Sequence, residues 1–132
     1  MKFMLEKLSL DIVENILNTL PVEMSFTDKN DQVRYFNKNG DRIFPRPRSV
    51  IGRNVRQCHP PKSLDKVTRI IEDFKSGARD SAEFWINLRD RKIYIRYFAV
   101  RDLQGVYLGT LEVSQDITDI KNISGEKRLL DE

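Results

Sequence analysis

The first twenty residues carry apolar side chains at helical spacing. These positions recur at steps of three and four, which places them on one face of a helix: Leu5, Leu8, Ile12, Val13, Ile16, Leu17 and Leu20. Pro21 ends the pattern, because a proline pushes the residue before it out of helical geometry. The spacing predicts an amphipathic N-terminal helix within residues 1–20. Its apolar stripe must be buried on the domain's own sheet or against a second copy.

From Val22 onwards the period changes to two. Apolar side chains alternate with polar ones, which predicts a strand with one buried face: Val22, Met24 and Phe26 against Glu23, Ser25 and Thr27. Residues 28–31 form a turn by composition, and residues 32–36 continue as a second strand, so the pair is predicted to be a β-hairpin. Glycines and prolines interrupt residues 37–61, which predicts only loops and short helical turns.

The second half of the chain contains one more helix and three longer strands. Ser63 is a candidate N-cap for a helix with an apolar stripe, and Gly77 is its predicted stop. Alternating patterns over 81–88, 93–100 and 107–117 are separated by short turns, which predicts an antiparallel meander. Residues 120–132 form a polar tail with a predicted helical turn at 126–130. The element order predicts an α+β fold: a five-stranded antiparallel sheet with helices on one face.

Length and composition narrow the class of protein. The chain has 132 residues, 39% hydrophobic and 33% charged, which is typical of one globular domain with a single core. One cysteine and one histidine exclude an internal disulfide and a four-ligand zinc site. The charged residues near the N-terminus and the lack of a long apolar run argue against a signal peptide and a membrane helix. We therefore expect a soluble, cytoplasmic protein with its core in residues 21–119.

The formal charge of +3 is unevenly distributed. Residues 33–62 contain one acidic side chain, Asp41, and eight basic ones. The basic residues are Arg34, Lys38, Arg42, Arg46, Arg48, Arg53, Arg56 and Lys62. Such a stretch can attract nucleic acid or another anion. It matches no nucleic-acid-binding motif, so a solvated surface is the favoured interpretation and nucleic-acid binding is an alternative function.

The order of elements and several short motifs resemble a PAS domain over residues 10–119. The motifs are Thr27-Asp28, Tyr35-Phe36-Asn37, Ile51-Gly52 and Asp116-Ile117-Thr118-Asp119. Segments 58–63, 82–86, 95–102 and 109–116 are similar to the PAS domain at the C-terminal end of bacterial and archaeal proteins that carry a hemerythrin-like module. The resemblance implies a prokaryotic sensory domain in signal transduction, and not an enzyme. Such domains hold a ligand between sheet and helices, or they dimerise.

Two cofactors are tested against the residues. Segment 52–57 resembles the flavin-binding motif of light-sensing PAS relatives, but Val55 stands where they carry the reactive cysteine, which argues against a flavin–cysteinyl adduct. Flavin without an adduct stays open. Cys58 or His59 can serve as an axial heme ligand. The favoured alternative is that Cys58 is a small buried hydrophobe and His59 a surface or capping residue.

Side chains on the long strands are the remaining candidates. Tyr97, Phe84 and Leu111 can line an apolar pocket for a small molecule, although simple core or dimer packing is the favoured interpretation of such side chains. Trp85 shares its strand face with polar residues, which favours an interface covered by the N-terminal helix or a second subunit. We expect a homodimer that uses Ile12, Ile16, Leu17 and Trp85. No kinase, cyclase or DNA-binding segment is recognised, so output is expected from a partner protein or an effector domain outside this sequence. A ligand-free dimerisation module is the alternative.

Overall fold

The computed structural model describes residues 4–38, 40 and 42–131. Two α-helices and five β-strands make up most of its regular structure: α1 Leu10–Thr19, β1 Glu23–Asp28, β2 Val33–Phe36, α2 Pro61–Ser76, β3 Ser81–Leu88, β4 Arg91–Arg101 and β5 Tyr107–Asp116. Short 3₁₀ helices occupy Arg48–Val50, Val55–Cys58 and Ile120–Asn122. No helix among these residues is long and apolar enough to span a membrane.

The five strands form one antiparallel sheet in the order β2-β1-β5-β4-β3. This confirms the predicted α+β fold. β5 is the central strand, because it pairs with β1 of the N-terminal hairpin and with β4 of the meander. The inner face of the sheet is covered by α2 and by the irregular segment before it. The outer face carries the alternate side chains of each strand.

Helix α2 begins three residues earlier than an N-cap at Ser63 predicts. Pro61 is its first residue, because the fixed φ of proline suits the first helical position and its missing N–H is not needed there. Ser63 lies inside the first turn, where its hydroxyl donates to the Pro60 carbonyl. The predicted stop is confirmed: Gly77 adopts φ 83° and its N–H donates to the carbonyl of Phe74.

Helix α1 is shorter than its apolar pattern predicts. Ser9 is the N-cap and its hydroxyl accepts from the N–H of Ile12, so the helix begins at Leu10. Two hydrogen bonds connect α1 to the end of β2: the Asn37 amide donates to the Leu17 carbonyl, and the Lys38 N–H donates to the Asn18 side chain. None of its residues is buried. The apolar stripe is therefore formed but only partly covered within one chain: Val13 and Leu17 are half-buried, while Ile12 and Ile16 are exposed.

The core lies between the inner face and the helices. One cluster packs Val33 and Phe36 of β2 against Val67 and Ile71 of α2, and a second packs Phe74 of α2 against side chains of β4. The burial pattern of β1 is the reverse of the predicted one, in which the apolar side chains face the core. Its buried side chains are the polar ones, Glu23, Ser25 and Thr27, while Met24 and Phe26 are half-buried on the outer face.

The C-terminal tail is less regular than predicted. The helical turn expected at residues 126–130 is absent in this part of the described chain, which has only a turn at Leu129–Leu130. One 3₁₀ turn at Ile120–Asn122 follows β5 instead. The apolar side chains of the tail are exposed, Leu129 by 93%, so no packing holds a helix there.

Candidate functional site

A small cavity lies between α2 and the inner face of the sheet. Thr27, Tyr97 and Thr110 line it from the strands, and Val67 and Ile71 line it from the helix. Its volume is about 10 Å³. A space of this size has room for about one water molecule. Heme and flavin do not fit, because either ring system would have to displace α2 from the sheet.

Tyr97 is the central polar group beside this cavity. Its side chain is 7% exposed, and it lies directly opposite Glu112 in the pairing of β4 with β5. Burial raises the pKa of the Tyr97 hydroxyl, and the charge of Glu112 raises it further. The hydroxyl is therefore a neutral hydrogen-bond donor or acceptor at physiological pH. It is too weak an acid for proton transfer there.

Arg46 brings a cation to the same face of the sheet. Its guanidinium lies 3.3 Å from the Glu112 carboxylate, and both side chains are largely buried. The buried Nε of Arg46 has no hydrogen-bond partner in the described part of the chain. The sequence analysis missed this pair, because 66 residues separate its members. Glu112 alternates with apolar residues in β5, but nothing near it in the sequence identifies Arg46 as its partner.

A second ion pair fixes the same segment at its other end. Glu23 accepts hydrogen bonds from the N–H groups of Ile43, at 2.6 Å, and Phe44, at 2.9 Å. The guanidinium of Arg42 lies 3.8 Å from Glu23, and the two side chains are 4% and 3% exposed. Arg42 also donates to the carbonyl of Asn37 at 2.6 Å. The segment from residue 42 to residue 46 is thus held across the inner face by charged groups.

The two candidate heme ligands lie away from the cavity. Cys58 is half-buried and packs against the cluster of Val33 and Val67. The Nδ1 of His59 lies 3.0 Å from the Val55 carbonyl, so this hydrogen bond joins the two ends of the 3₁₀ helix Val55–Cys58. Neither residue lines the cavity. Within the described residues, no three His, Cys, Asp or Glu side chains are grouped to hold a metal ion.

The structure brings together two of the three predicted pocket residues on the strands. Phe84 stacks on Tyr97 with ring centroids 5.9 Å apart, on the inner face near the β3 edge. Leu111 is opposite Phe26 and Phe98, all three on the outer face. Alternate residues of a strand point to opposite faces, so Leu111 cannot share a cavity with Tyr97. This corrects the predicted set.

The predicted interface residues are at two separate places. Ile12 and Ile16 on α1 are 47% and 48% exposed, and Leu17 beside them is half-buried. Trp85 is 60% exposed on the outer face of β3, where its ring lies 6.5 Å from that of Tyr94. β3 and β2 are opposite edges of the sheet, and α1 is hydrogen-bonded beside the end of β2. Within one chain, α1 therefore lies at the far edge of the sheet from Trp85 and does not cover it.

Much of the basic stretch is neutralised within the fold. Four of its arginines form ion pairs with carboxylates: Arg34 with Asp28, Arg42 with Glu23, Arg46 with Glu112 and Arg56 with Asp31. Two of these arginines have side chains no more than 11% exposed. These contacts leave less positive charge for a phosphate backbone than the sequence alone indicates.

Asp31 joins the first hairpin to the helical segment. Its carboxylate accepts from Arg56 at 2.9 Å and from Lys75 of α2 at 3.0 Å. Burial by itself would raise the pKa of Asp31, but the hydrogen bonds from Arg56 and Lys75 outweigh it, and the net pKa is lowered. The charged form of this carboxyl group therefore stabilises the fold.

This predicts a pH-dependent effect of Asp31→Asn, a change that the left-handed backbone at φ 65° tolerates. Near neutral pH we expect the variant to be less stable by about 2 kcal/mol, because it loses hydrogen bonds to a charged acceptor. The stability that the charged Asp31 carboxylate contributes is complete above the ordinary carboxyl pKa of 3.8. It declines as the pH falls through the lower pKa of Asp31 in the folded state. Urea unfolding of both proteins measures this. A constant difference at all pH values would contradict it.

A surface groove of about 370 Å³ lies where the chain leaves β5. Arg91 and Asp116 face each other there at 3.6 Å. Asp116 accepts from the N–H of Thr118 at 3.0 Å and from its hydroxyl at 2.5 Å, and these hydrogen bonds lower the pKa of Asp116. The Thr118 hydroxyl in turn accepts from the N–H of Lys92 at 3.0 Å. The motif Asp116-Ile117-Thr118 thus connects the end of β5 to the start of β4.

Comparison with known proteins gives one family. The family model described as PAS domain matches residues 13–118. A crystal structure of the C-terminal domain of a protein from Streptococcus mutans is similar, with a TM-score of 0.82 and 38% identity, over 89% of this chain and 91% of that chain. A search of curated proteins finds no match.

More distant structures share the fold. The PAS domain of BvgS from Bordetella pertussis has a TM-score of 0.62 and 16% identity, over 83% of this chain and 86% of that one. A sensory box sensor histidine kinase from Vibrio cholerae has a TM-score of 0.57 and 14% identity, over 81% and 90%. At these identities the likeness concerns the fold alone.

Proposed function

Since this chain belongs to the PAS domain family, we propose that it is a regulatory module of signal transduction that acts as a homodimer formed through α1 and the outer sheet face. The observation that carries the proposal is the exposed part of the apolar stripe of α1. Ile12 and Ile16 are 47% and 48% exposed on one side of α1, and Leu20, directly after its last residue, is 37% exposed. A helix of ten residues is only marginally stable unless its apolar face is packed against another surface. We therefore expect a second surface to cover the exposed side of α1.

The outer face of the sheet supplies a suitable surface for the helix of a second copy. Met24, Phe26, Leu111 and Phe98 are half-buried there, and Val113 is 8% exposed. Burial of apolar surface contributes about 25 cal/mol per Å², so a helix stripe laid on this face stabilises association. A signal then acts as a population shift between packings of α1, which its neighbouring segments transmit to a partner protein or effector domain.

The cavity supports this interpretation over a large bound cofactor. Its volume of about 10 Å³ leaves the inner face of the sheet packed against α2. The second candidate function is sensing of a very small polar ligand, favoured by Tyr97, Thr27 and Thr110 around that space. The similarity to PAS domains of proteins with a hemerythrin-like module stays a prediction, as does an intracellular location.

The test is Ile16→Glu, which places a charge in the centre of the stripe. We expect sedimentation velocity to give half the assembled mass of the wild type, because a buried charge without a partner weakens binding by at least about 30-fold. The matched control is Asn15→Glu, which adds the same charge on the polar side of α1 and keeps the wild-type mass. An unchanged mass for Ile16→Glu contradicts the interface. A heme or flavin absorbance band in the purified protein would instead favour a cofactor sensor.

A further inference from the structure

The sheet has one edge that is protected and one that is not. β2, at the first edge, has only four residues, and its register with β1 shifts between Phe26 and Thr27. The following loop also covers it, since the N–H of Val33 donates to Arg53 at 2.9 Å and the N–H of Gly52 donates to Val33 at 2.7 Å. Short length, irregular register and a covering loop are the usual means of keeping an edge from pairing.

β3, at the opposite edge, has none of these features. It has eight residues, contains neither proline nor lysine, and pairs with β4 without a register shift from Ser81 to Leu88. No segment of the described chain is paired with its other side. Apolar side chains are exposed on both of its faces: Phe84 by 39%, Trp85 by 60% and Ile86 by 36%. A long, regular, apolar edge of this kind is a template for another strand.

The hydrogen-bond pattern shows which backbone groups are available. The N–H of Ala99 donates to the carbonyl of Asp80 at 2.9 Å, one step before β3 begins. Hydrogen-bonded pairs alternate along an antiparallel ladder, so residues 82, 84, 86 and 88 direct their backbone groups towards β4. Residues 81, 83, 85 and 87 therefore direct their N–H and C=O groups away from the sheet.

We propose that β3 pairs in antiparallel fashion with β3 of a second copy, about a two-fold axis at Trp85, and joins two sheets into one of ten strands. In this register Trp85 of one copy lies opposite Trp85 of the other, and Phe84 lies opposite Ile86. The residues whose N–H and C=O groups point away from β4 in one copy then lie opposite the same kind of residue in the other copy. The two side chains of each such pair lie on the same face of the joined sheet.

The charges of β3 fit a second copy. Glu83 is its only charged side chain, and in this register it lies opposite Asn87 of the other copy. No like charges are directly opposed, which would destabilise the pair. On the outer face the Trp85–Tyr94 contact of each copy extends into a row of four aromatic rings. The occupant is therefore an identical strand, whose polarity, length and side chains match this edge.

This interface is independent of the one proposed for α1. The β3 edge is separated from β2, beside which α1 is hydrogen-bonded, by the other three strands. A chain with two different two-fold interfaces can close into a tetramer with dihedral symmetry. Either interface can be removed while the other is kept, so their failures are distinguishable.

The test uses Asn87→Pro, with Asn87→Ala as the matched control. Proline at this position removes an N–H that points away from β4, so the fold is retained, while alanine keeps the N–H. We expect the assembled mass of Asn87→Pro to be half that of wild type and that of Asn87→Ala to be unchanged. The double variant Ile16→Glu/Asn87→Pro should be a monomer.

Two residue-level measurements complete the test. In the wild type, the amides of Glu83 and Trp85 should be protected from hydrogen exchange, and in Asn87→Pro they should lose this protection. Trp85 is the only tryptophan, so its emission should be at shorter wavelength in wild type than in Asn87→Pro. Rapid exchange of both amides in the wild type overturns the proposal. Protected amides with an unchanged mass in Asn87→Pro overturn a second copy as the occupant.

Discussion

Replacing Glu23 by alanine is expected to destabilise the fold by about 3 to 5 kcal/mol, among the largest effects of any single change in this chain. The carboxylate is 3% exposed and accepts from two backbone N–H groups, and its removal leaves Arg42 buried without its counter-charge. The Arg42 side chain is only 4% exposed, so little of its lost interaction is replaced by water. Urea unfolding in the Ile16→Glu/Asn87→Pro background measures the loss without a contribution from assembly.

The matched control is Glu126→Ala, which removes the partner of Arg128 in the exposed tail. Those two side chains are 67% and 81% exposed, so solvent replaces the interaction and we expect a change below about 0.5 kcal/mol. Glu23→Gln should lie between the two, since the amide keeps one acceptor oxygen for a backbone N–H. A loss below about 1 kcal/mol for Glu23→Ala would show that the segment from residue 42 to residue 46 is not held by this group.

The second large effect is expected for Phe74→Ala, at about 3 to 5 kcal/mol. Phe74 is fully buried, and its ring packs against Ile93, Ile95 and Tyr97 of β4. The substitution removes the side chain that joins α2 to the meander, and surrounding groups close only part of the resulting cavity. The free energy of unfolding from urea titration, in the same monomeric background, measures it.

Phe84→Ala is the control for Phe74→Ala. It removes an identical ring, but this one is 39% exposed at the β3 edge, where it stacks on Tyr97. We expect a loss of about 1 to 1.5 kcal/mol, because less apolar surface leaves the interior. Equal losses for the two phenylalanines would contradict the arrangement in which α2 packs on the inner face through Phe74.

Local patterns were sufficient to identify both α-helices and the five strands, although not the exact helix starts or the irregular tail. The period of two over residues 81–88 and the helical period over residues 64–74 depend on neighbours in sequence, and both elements are confirmed. Gly77 ends α2 as predicted, because a left-handed backbone is a local requirement that glycine meets. Element order then indicated the antiparallel sheet, since short connections exclude parallel pairing.

The candidate site was less predictable. Alternation of residues shows that a strand has two faces, but it does not show which face meets the helices. In β1 the polar face is the buried one, because Glu23 receives Arg42 and two backbone N–H groups from a segment about twenty residues away. In β5 the same ambiguity placed Leu111 with Tyr97, and sheet register separates them.

Short-range periodicity and turn chemistry were enough to identify the helices and strands of the sheet-forming region and their order. The family was indicated separately, by the resemblance of several short motifs to those of PAS domains. The packing of the folded chain shows which polar groups are buried in pairs, how little space remains beside Tyr97, and which sheet edge the described residues leave unpaired. These depend on contacts between segments far apart in the chain. Arg46 and Glu112 meet across 66 residues, and nothing local to either one encodes the other.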